Sequence, residues 1–143
     1  MQGRFHSADP AETEALGGRL ACELRPGDVV LVEGELGAGK TTFVRGACRA
    51  LGVTGPVTSP TFTIGQRYAA AGTAPAVAHL DLYRLSSLAD EDPDLLADYL
   101  GPDMIAFVEW PGAGEQELAE LASVAARVYL DHAGGDHRRI DVR

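Results

Sequence analysis

Apolar residues recur at helical spacing in some stretches of this 143-residue chain and at strand spacing in others, and the switches delimit its elements. Asp9-Pro10-Ala11-Glu12 opens a first helix, with an N-cap acid, proline at the first helical position and glutamate at the third. Leu16, Leu20 and Leu24 follow as one stripe, and Arg25-Pro26-Gly27-Asp28 ends it. Val29-Val30-Leu31-Val32 is a short β-branched run of the buried-strand type. A glycine-rich turn, Gly34 to Gly39, leads into a second helix that starts at Lys40, turns Phe43, Ala47 and Leu51 inward and stops at Gly52. Thr61 to Tyr68 alternates, with Phe62, Ile64 and Tyr68 on one face, and pairs across a loose loop (residues 69–75) with a second strand, Ala76 to Tyr83. Ser86 to Leu100 reads as an acidic helix in two pieces divided at Pro93. Met104 to Val108 is a buried strand, a short acidic helix begins at Glu115, and Ala126–Leu130 with Ile140–Val142 forms a last hairpin around Gly134-Gly135. Early alternation of strands and helices with late strand pairing predicts an α/β fold with a mixed sheet. With no repeat and no long linker, residues 1–143 read as a single domain.

Charge narrows the function. Twelve basic residues against 21 acidic ones leave a net −9. That excludes a free-standing nucleic-acid binder with a broad basic face and argues against an anionic membrane surface. No apolar run approaches a membrane span, and Met1-Gln2-Gly3-Arg4-Phe5-His6 lacks the apolar stretch of a signal peptide. Cys22 and Cys48 form no C-x-x-C pair, as suits a reduced, cytoplasmic protein. Eleven of the twelve basic residues are arginines, and the single lysine is Lys40.

Lys40 sits in Gly34-Glu35-Leu36-Gly37-Ala38-Gly39-Lys40-Thr41, which fits G-x-x-x-x-G-K-S/T at every fixed position. Glycines let the backbone aim its N–H groups at phosphate oxygens in conformations a Cβ would obstruct. The helix opening at Lys40 presents its positive dipole end to the same anion. Lysine supplies a compact charge for the β- and γ-phosphates where a planar guanidinium is bulkier and differently directed, and Thr41 offers a hydroxyl to Mg²⁺. The bland alternative, a strand-to-helix turn that happens to contain lysine, leaves the placement of the one lysine unexplained. Guanine-reading GTPases use N/T-K-x-D, for which no lysine remains, so ATP is the expected nucleotide.

Three further segments carry polar groups suited to such a site. Ser59-Pro60-Thr61 sets two hydroxyls beside a stiffening proline, which an ordinary turn would also do. His79 and Asp81 share one face of a strand; a lone histidine there is more often core than ligand. Ile105 to Val108 ends in Glu109, the way an acid is delivered to Mg²⁺ or to an attacking water, with Trp110 next to it.

Together, G-E-L-G-A-G-K-T-T-F-V-R-G (34–46), T-S-P-T-F (58–62), H-L-D-L-Y-R-L (79–85) and V-E-W-P (108–111) resemble the TsaE family, formerly YjeE. The resemblance spans about residues 9 to 140 and includes T-E-A-L-G (13–17) in the first helix. It implies a three-layer P-loop NTPase fold with a mixed sheet, binding ATP and Mg²⁺. It also implies a partner: a TsaB–TsaD complex that transfers the threonylcarbamoyl group to adenosine 37 of certain tRNAs and is reset by ATP hydrolysis. Carried over by position, Gly37, Ala38, Gly39, Lys40, Thr41 and Thr42 hold phosphate, and Thr41, Asp81 and Glu109 serve the metal and the water. Ser59 and Thr61 lie in a switch-like loop near the γ-phosphate, Trp110 flanks the site, and Thr13 approaches the adenine side. Lys40, Thr61, Asp81 and Glu109 are the residues expected to carry hydrolysis. Where many members have Gly-Arg in the last hairpin turn, this chain has Gly135-Asp136 followed by Arg138 and Arg139, so which arginine reaches the nucleotide stays open.

Two other readings compete. A small-molecule P-loop kinase would need a lid of arginines closing over the transferred phosphate, and no long insertion supplies one. A nucleotide-gated interaction module without hydrolysis would need fewer carboxylates than Asp81 and Glu109 provide.

Overall fold

The computed structural model describes residues 1–60, 64–69, 72, 75–83 and 96–143. Thr61, Phe62, Arg84 and residues 86–95, with the break expected at Pro93, lie outside the described residues. Strands β1 (Gly3–Ser7), β2 (Asp28–Gly34), β3 (Gly65–Tyr68), β4 (Ala76–Asp81), β5 (Met104–Glu109), β6 (Ser123–His132) and β7 (Arg138–Val142) form one sheet. Its order is β1-β7-β6-β2-β5-β4-β3. The central strands β6, β2, β5 and β4 run parallel, and antiparallel pairs (β3 on β4, β7 on β6, β1 on β7) close the two sides. This is the mixed α/β sheet that the apolar pattern predicts.

Helices α1 (Pro10–Ala21) and α2 (Lys40–Ala50) cover one face, and α3 (Glu115–Leu121) lies on the other, giving three layers. The apolar run of β2 is divided between them by its pleat. Val30 and Val32 pack with Leu16, Leu20, Phe43, Val44 and Ala47, whereas Val29 and Leu31 pack with Leu80, Leu96, Val108 and Leu118. A strand covered on both sides needs no polar alternation, which is why it reads as an unbroken apolar run. Among the described residues no helix is long and apolar enough to cross a membrane.

The first helix starts as its sequence predicts. The Asp9 carboxylate accepts the Glu12 N–H at 2.8 Å, and the Glu12 carboxylate accepts the Ala8 N–H at 2.7 Å. It ends at Ala21, short of Leu24, which packs half-buried beyond the helix because Pro26 forbids continuation. Strand β1 has no signature in the apolar pattern. Among the described residues it pairs with β7 alone, and its Gly-Arg-Phe-His-Ser run is mostly exposed.

Helix α1 rests directly on α2 through two glycines. A Cβ on Gly17 would lie 2.1 Å from the Phe43 carbonyl oxygen, and one on Gly46 1.9 Å from that of Glu14. Backbone meets backbone at this crossing.

Candidate functional site

Three neighbouring parallel strands end at one edge of the sheet and each delivers a polar group there. β2 runs into the Gly34–Thr41 loop, β5 ends in Glu109 and β4 ends in Asp81. Glu109 is in register with Val32 on one side and with Asp81 on the other. The carboxyl edge of parallel strands is where open α/β sheets bind ligands.

The loop turns through glycines that no other residue would replace without strain, with φ of 78° at Gly37 and 98° at Gly39. Gly39 is the N-cap of α2 and brings no side chain to it, so the first N–H groups of the helix are uncapped by side chains and suited to an anion. Arg138, at the start of β7, braces the loop from behind. Its Nε donates to the Ala38 carbonyl at 3.1 Å and its Nη2 to that of Gly37 at 3.2 Å. Arg139 is exposed and pairs along the β1 edge, so of the two arginines it is Arg138 that meets the loop. Thr13 is buried; its hydroxyl lies 2.6 Å from that of Ser7 and donates to the Asp9 carbonyl at 3.3 Å. Thr42 is half-buried in the first turn of α2.

Lys40 is buried, and its Nζ donates to the Gly34 and Glu35 carbonyls at 2.8 and 2.9 Å. The ammonium also stands 4.2 Å from the centre of the Trp110 ring, a cation–π contact. Burial lowers the Lys40 pKa below its ordinary value, and the charges of Glu109 and Asp81 pull it back in part. Trp110 holds left-handed backbone, φ 55° and ψ 57°, and is the one described non-glycine residue with positive φ. Its N–H bonds the Val32 carbonyl at 3.2 Å and its ring lies 4.8 Å from that of exposed Tyr83. Strain of this kind is concentrated at functional sites.

Beside Lys40 lies a cluster of oxygens. The Thr41 hydroxyl is 3.0 Å from the Ser59 hydroxyl and donates to Glu109 at 3.1 and 3.2 Å. Ser59 reaches Asp81 Oδ2 and Glu109 Oε2, each at 3.4 Å, and the Tyr83 N–H holds Asp81 Oδ1 at 3.0 Å. Two hydroxyl protons cannot satisfy every carboxylate lone pair in the cluster. Two neighbouring carboxylates with hydroxyl oxygens form a hard donor set of the kind Mg²⁺ takes, one or two acids with the remaining positions left to water and phosphate. Arg45, which donates to the Val57 carbonyl at 3.1 and 3.3 Å, ties the segment carrying Ser59 to α2.

Of the residues predicted from sequence, Lys40, Thr41, Ser59, Asp81, Glu109 and Trp110 come together, while Thr61 lies outside the described residues. By sequence alone His79 is more often a core residue than a ligand. It is buried, yet its Nε2 lies 2.5 Å from Glu109 Oε2. The signal available was a histidine two residues before Asp81 on the same strand face.

The chain matches the family model of "Threonylcarbamoyl adenosine biosynthesis protein TsaE" over residues 7–140. It is 48% identical over 121 residues to the tRNA threonylcarbamoyladenosine biosynthesis protein TsaE of Streptomyces coelicolor, covering 85% of this chain and 80% of that one. It is 39% identical over 140 residues to the protein of that name from Bacillus subtilis, covering 97% of this chain and 84% of the other. The crystal structure of Bacillus subtilis YdiB superposes with a TM-score of 0.75 at 31% identity, over 99% of this chain and 84% of that one.

Proposed function

The chain belongs to the TsaE family, and on that premise we propose that it is a single-domain, Mg²⁺-dependent ATPase supporting threonylcarbamoyladenosine formation in tRNA. One observation carries the reading: Thr41, Ser59, Asp81 and Glu109 cluster beside Lys40 at the uncapped start of α2. Gly37, Ala38 and Gly39 with the N–H groups of Lys40, Thr41 and Thr42 receive phosphate oxygens, and Lys40 adds its charge. Thr41, Asp81 and Glu109 hold Mg²⁺, which when bound supplies positive charge against the phosphates in the transition state. Glu109 orients the attacking water, Ser59 positions both acids, and Thr61 assists hydrolysis. Thr13 supports the loop toward the adenine side.

Hydrolysis is slow in the isolated chain and is raised by a protein partner, the TsaB–TsaD complex. Two features support this. Among the described residues no arginine is paired with Asp81 or Glu109; Arg45 is bound to Val57 and Arg138 to the loop carbonyls. A stabilising charge supplied in trans raises hydrolysis by about 10³–10⁵-fold in related chemistry. Leu36 and Tyr83, 77% and 58% exposed, flank the site as apolar contacts for a protein. With net charge −9 the chain itself contributes little to holding tRNA. The test is ATP turnover with and without purified TsaB–TsaD, together with tRNA retention at ~150 mM salt. Stimulation by the partner and negligible retention are expected; a rate indifferent to the partner, or tight tRNA binding by the chain alone, refutes the reading.

A further inference from the structure

We infer that His79 is a positioning residue: it clamps one oxygen of Glu109 from beneath and leaves the other directed at the site. The inference rests on the ATPase reading above for its kinetic consequence, and on geometry for the clamp itself.

β4 and β5 run parallel in register, His79 opposite Phe107 and Asp81 opposite Glu109. His79 therefore lies one pleat repeat below Asp81, on the same face and diagonal to Glu109. It is 0% exposed and Glu109 2%, and the 2.5 Å contact between Nε2 and Oε2 is the shortest that Glu109 makes among the described residues. A carboxylate can only accept, so the proton sits on Nε2. The other ring nitrogen, Nδ1, is buried and has no hydrogen-bond partner among the described residues. The Tyr68 ring lies 6.4 Å from the His79 ring, centre to centre. With Nε2 donating to Glu109 and Nδ1 facing no described acceptor, the Nε2–H tautomer is the one that fits the geometry.

A core strand has no packing need for this residue. Val77, Ala78 and Leu80 around it are all buried and apolar, and an aliphatic side chain would avoid an orphaned nitrogen altogether. The compensation lies at Glu109. A glutamate carboxylate turns broadly about its last torsion, and Thr41 and Ser59 engage it through hydroxyls that also bond each other. The histidine bond comes from the protein interior and fixes Oε2. Oε1 is then left with Thr41 as its one partner among the described residues. Outer partners that orient a metal or water ligand in this way are worth about 10–100-fold in activity when removed.

The experiment uses His79→Leu, which keeps bulk and removes the donor, and His79→Gln, whose amide N–H₂ restores a donor. His79→Leu is expected to lower kcat by about 10–100-fold with KM for ATP nearly unchanged, and His79→Gln to recover most of the loss. A second readout needs no nucleotide. Two-bond ¹H–¹⁵N spectra of histidine-labelled wild-type protein should show His79 fixed as the Nε2–H tautomer, and Glu109→Ala should release that preference. Unchanged kcat in His79→Leu, a His79→Gln variant that folds but is as slow as His79→Leu, or a wild-type ring protonated on Nδ1 would each overturn the inference. A wild-type protein that fails to hydrolyse ATP even with TsaB–TsaD defeats the ATPase reading instead, and the tautomer spectra then decide the clamp by themselves.

Discussion

Replacing Gly17 by alanine adds one methyl group at the crossing of α1 and α2. Its carbon would stand 2.1 Å from the Phe43 carbonyl oxygen, 3.0 Å from the Phe43 carbonyl carbon and 3.1 Å from the Ala47 nitrogen. These are backbone atoms inside a helix and cannot swing aside. To restore ordinary contact the helices must part by on the order of 1 Å. That lifts Leu16 and Leu20, or Phe43 and Ala47, from a core in which all four are buried. Overpacking costs about 1–3 kcal/mol, the loosened core adds to it, and the gain in helix propensity returns about 0.5–1 kcal/mol. A net loss of about 3 kcal/mol, or ~10 °C in Tm for a chain of this length, is expected. The adjacent Gly18→Ala is the control. Its methyl would meet only the Ala50 Cβ and the Gly46 oxygen, each at 3.5 Å, so the propensity gain stands and Tm holds or rises. Thermal and urea unfolding of the two variants gives the comparison. ATP titration adds a second measure, because the Phe43 N–H bonds the Gly39 carbonyl at 2.9 Å and a displaced Phe43 disturbs the turn carrying Lys40. If the neighbouring variants melt within a degree or two of each other, the direct contact of the two helix backbones is wrong.

Lys40→Arg should lose ATP affinity nearly as fully as Lys40→Ala, by about tenfold or more in calorimetry, because the buried ammonium fits between two carbonyls and the Trp110 ring in a space unsuited to a planar guanidinium. Wild-type affinity in the arginine variant would refute this. Burial pushes the Cys48 thiol from an ordinary 9.0 up to about 12, whereas Cys22 is exposed, so at mild alkaline pH an alkylating reagent should modify Cys22 quickly and Cys48 only on unfolding. The folded chain holds the Cys48 proton more tightly than the unfolded one, so stability should fall as pH rises from about 9 toward 12; a Cys48→Ala variant with the same alkaline decline would assign it elsewhere.

The parts of the fold legible from sequence are those whose period is enforced by burial. β2 and β5 announce themselves because both of their faces are covered, and the last hairpin because Gly134-Gly135 punctuates it. β1 has one covered neighbour and a polar composition, so no periodicity betrays it. The Gly34–Thr41 loop was legible because its chemistry demands fixed residue types in consecutive positions. The role of His79 and the choice of Arg138 over Arg139 were not, because each rests on a partner distant in the chain: Glu109 for the first, the Gly37 and Ala38 carbonyls for the second. Contacts of that kind depend on strand order, and the order in which β2 stands between β6 and β5 cannot be read from local spacing.

The pairing of β1 with β7 has a consequence for synthesis. Gly3 pairs with Val142, so β1 is synthesised well before β7, its one pairing partner among the described residues. At ribosomal speeds of about 5–20 residues per second, roughly 7–28 s separate the two. For that interval β1 is an unsatisfied strand, and the glycine-rich loop, already synthesised, lacks the Arg138 guanidinium that braces two of its carbonyls. A nascent chain therefore carries its glycine-rich loop before the strand that braces it exists, and the brace forms once β7 docks between β1 and β6.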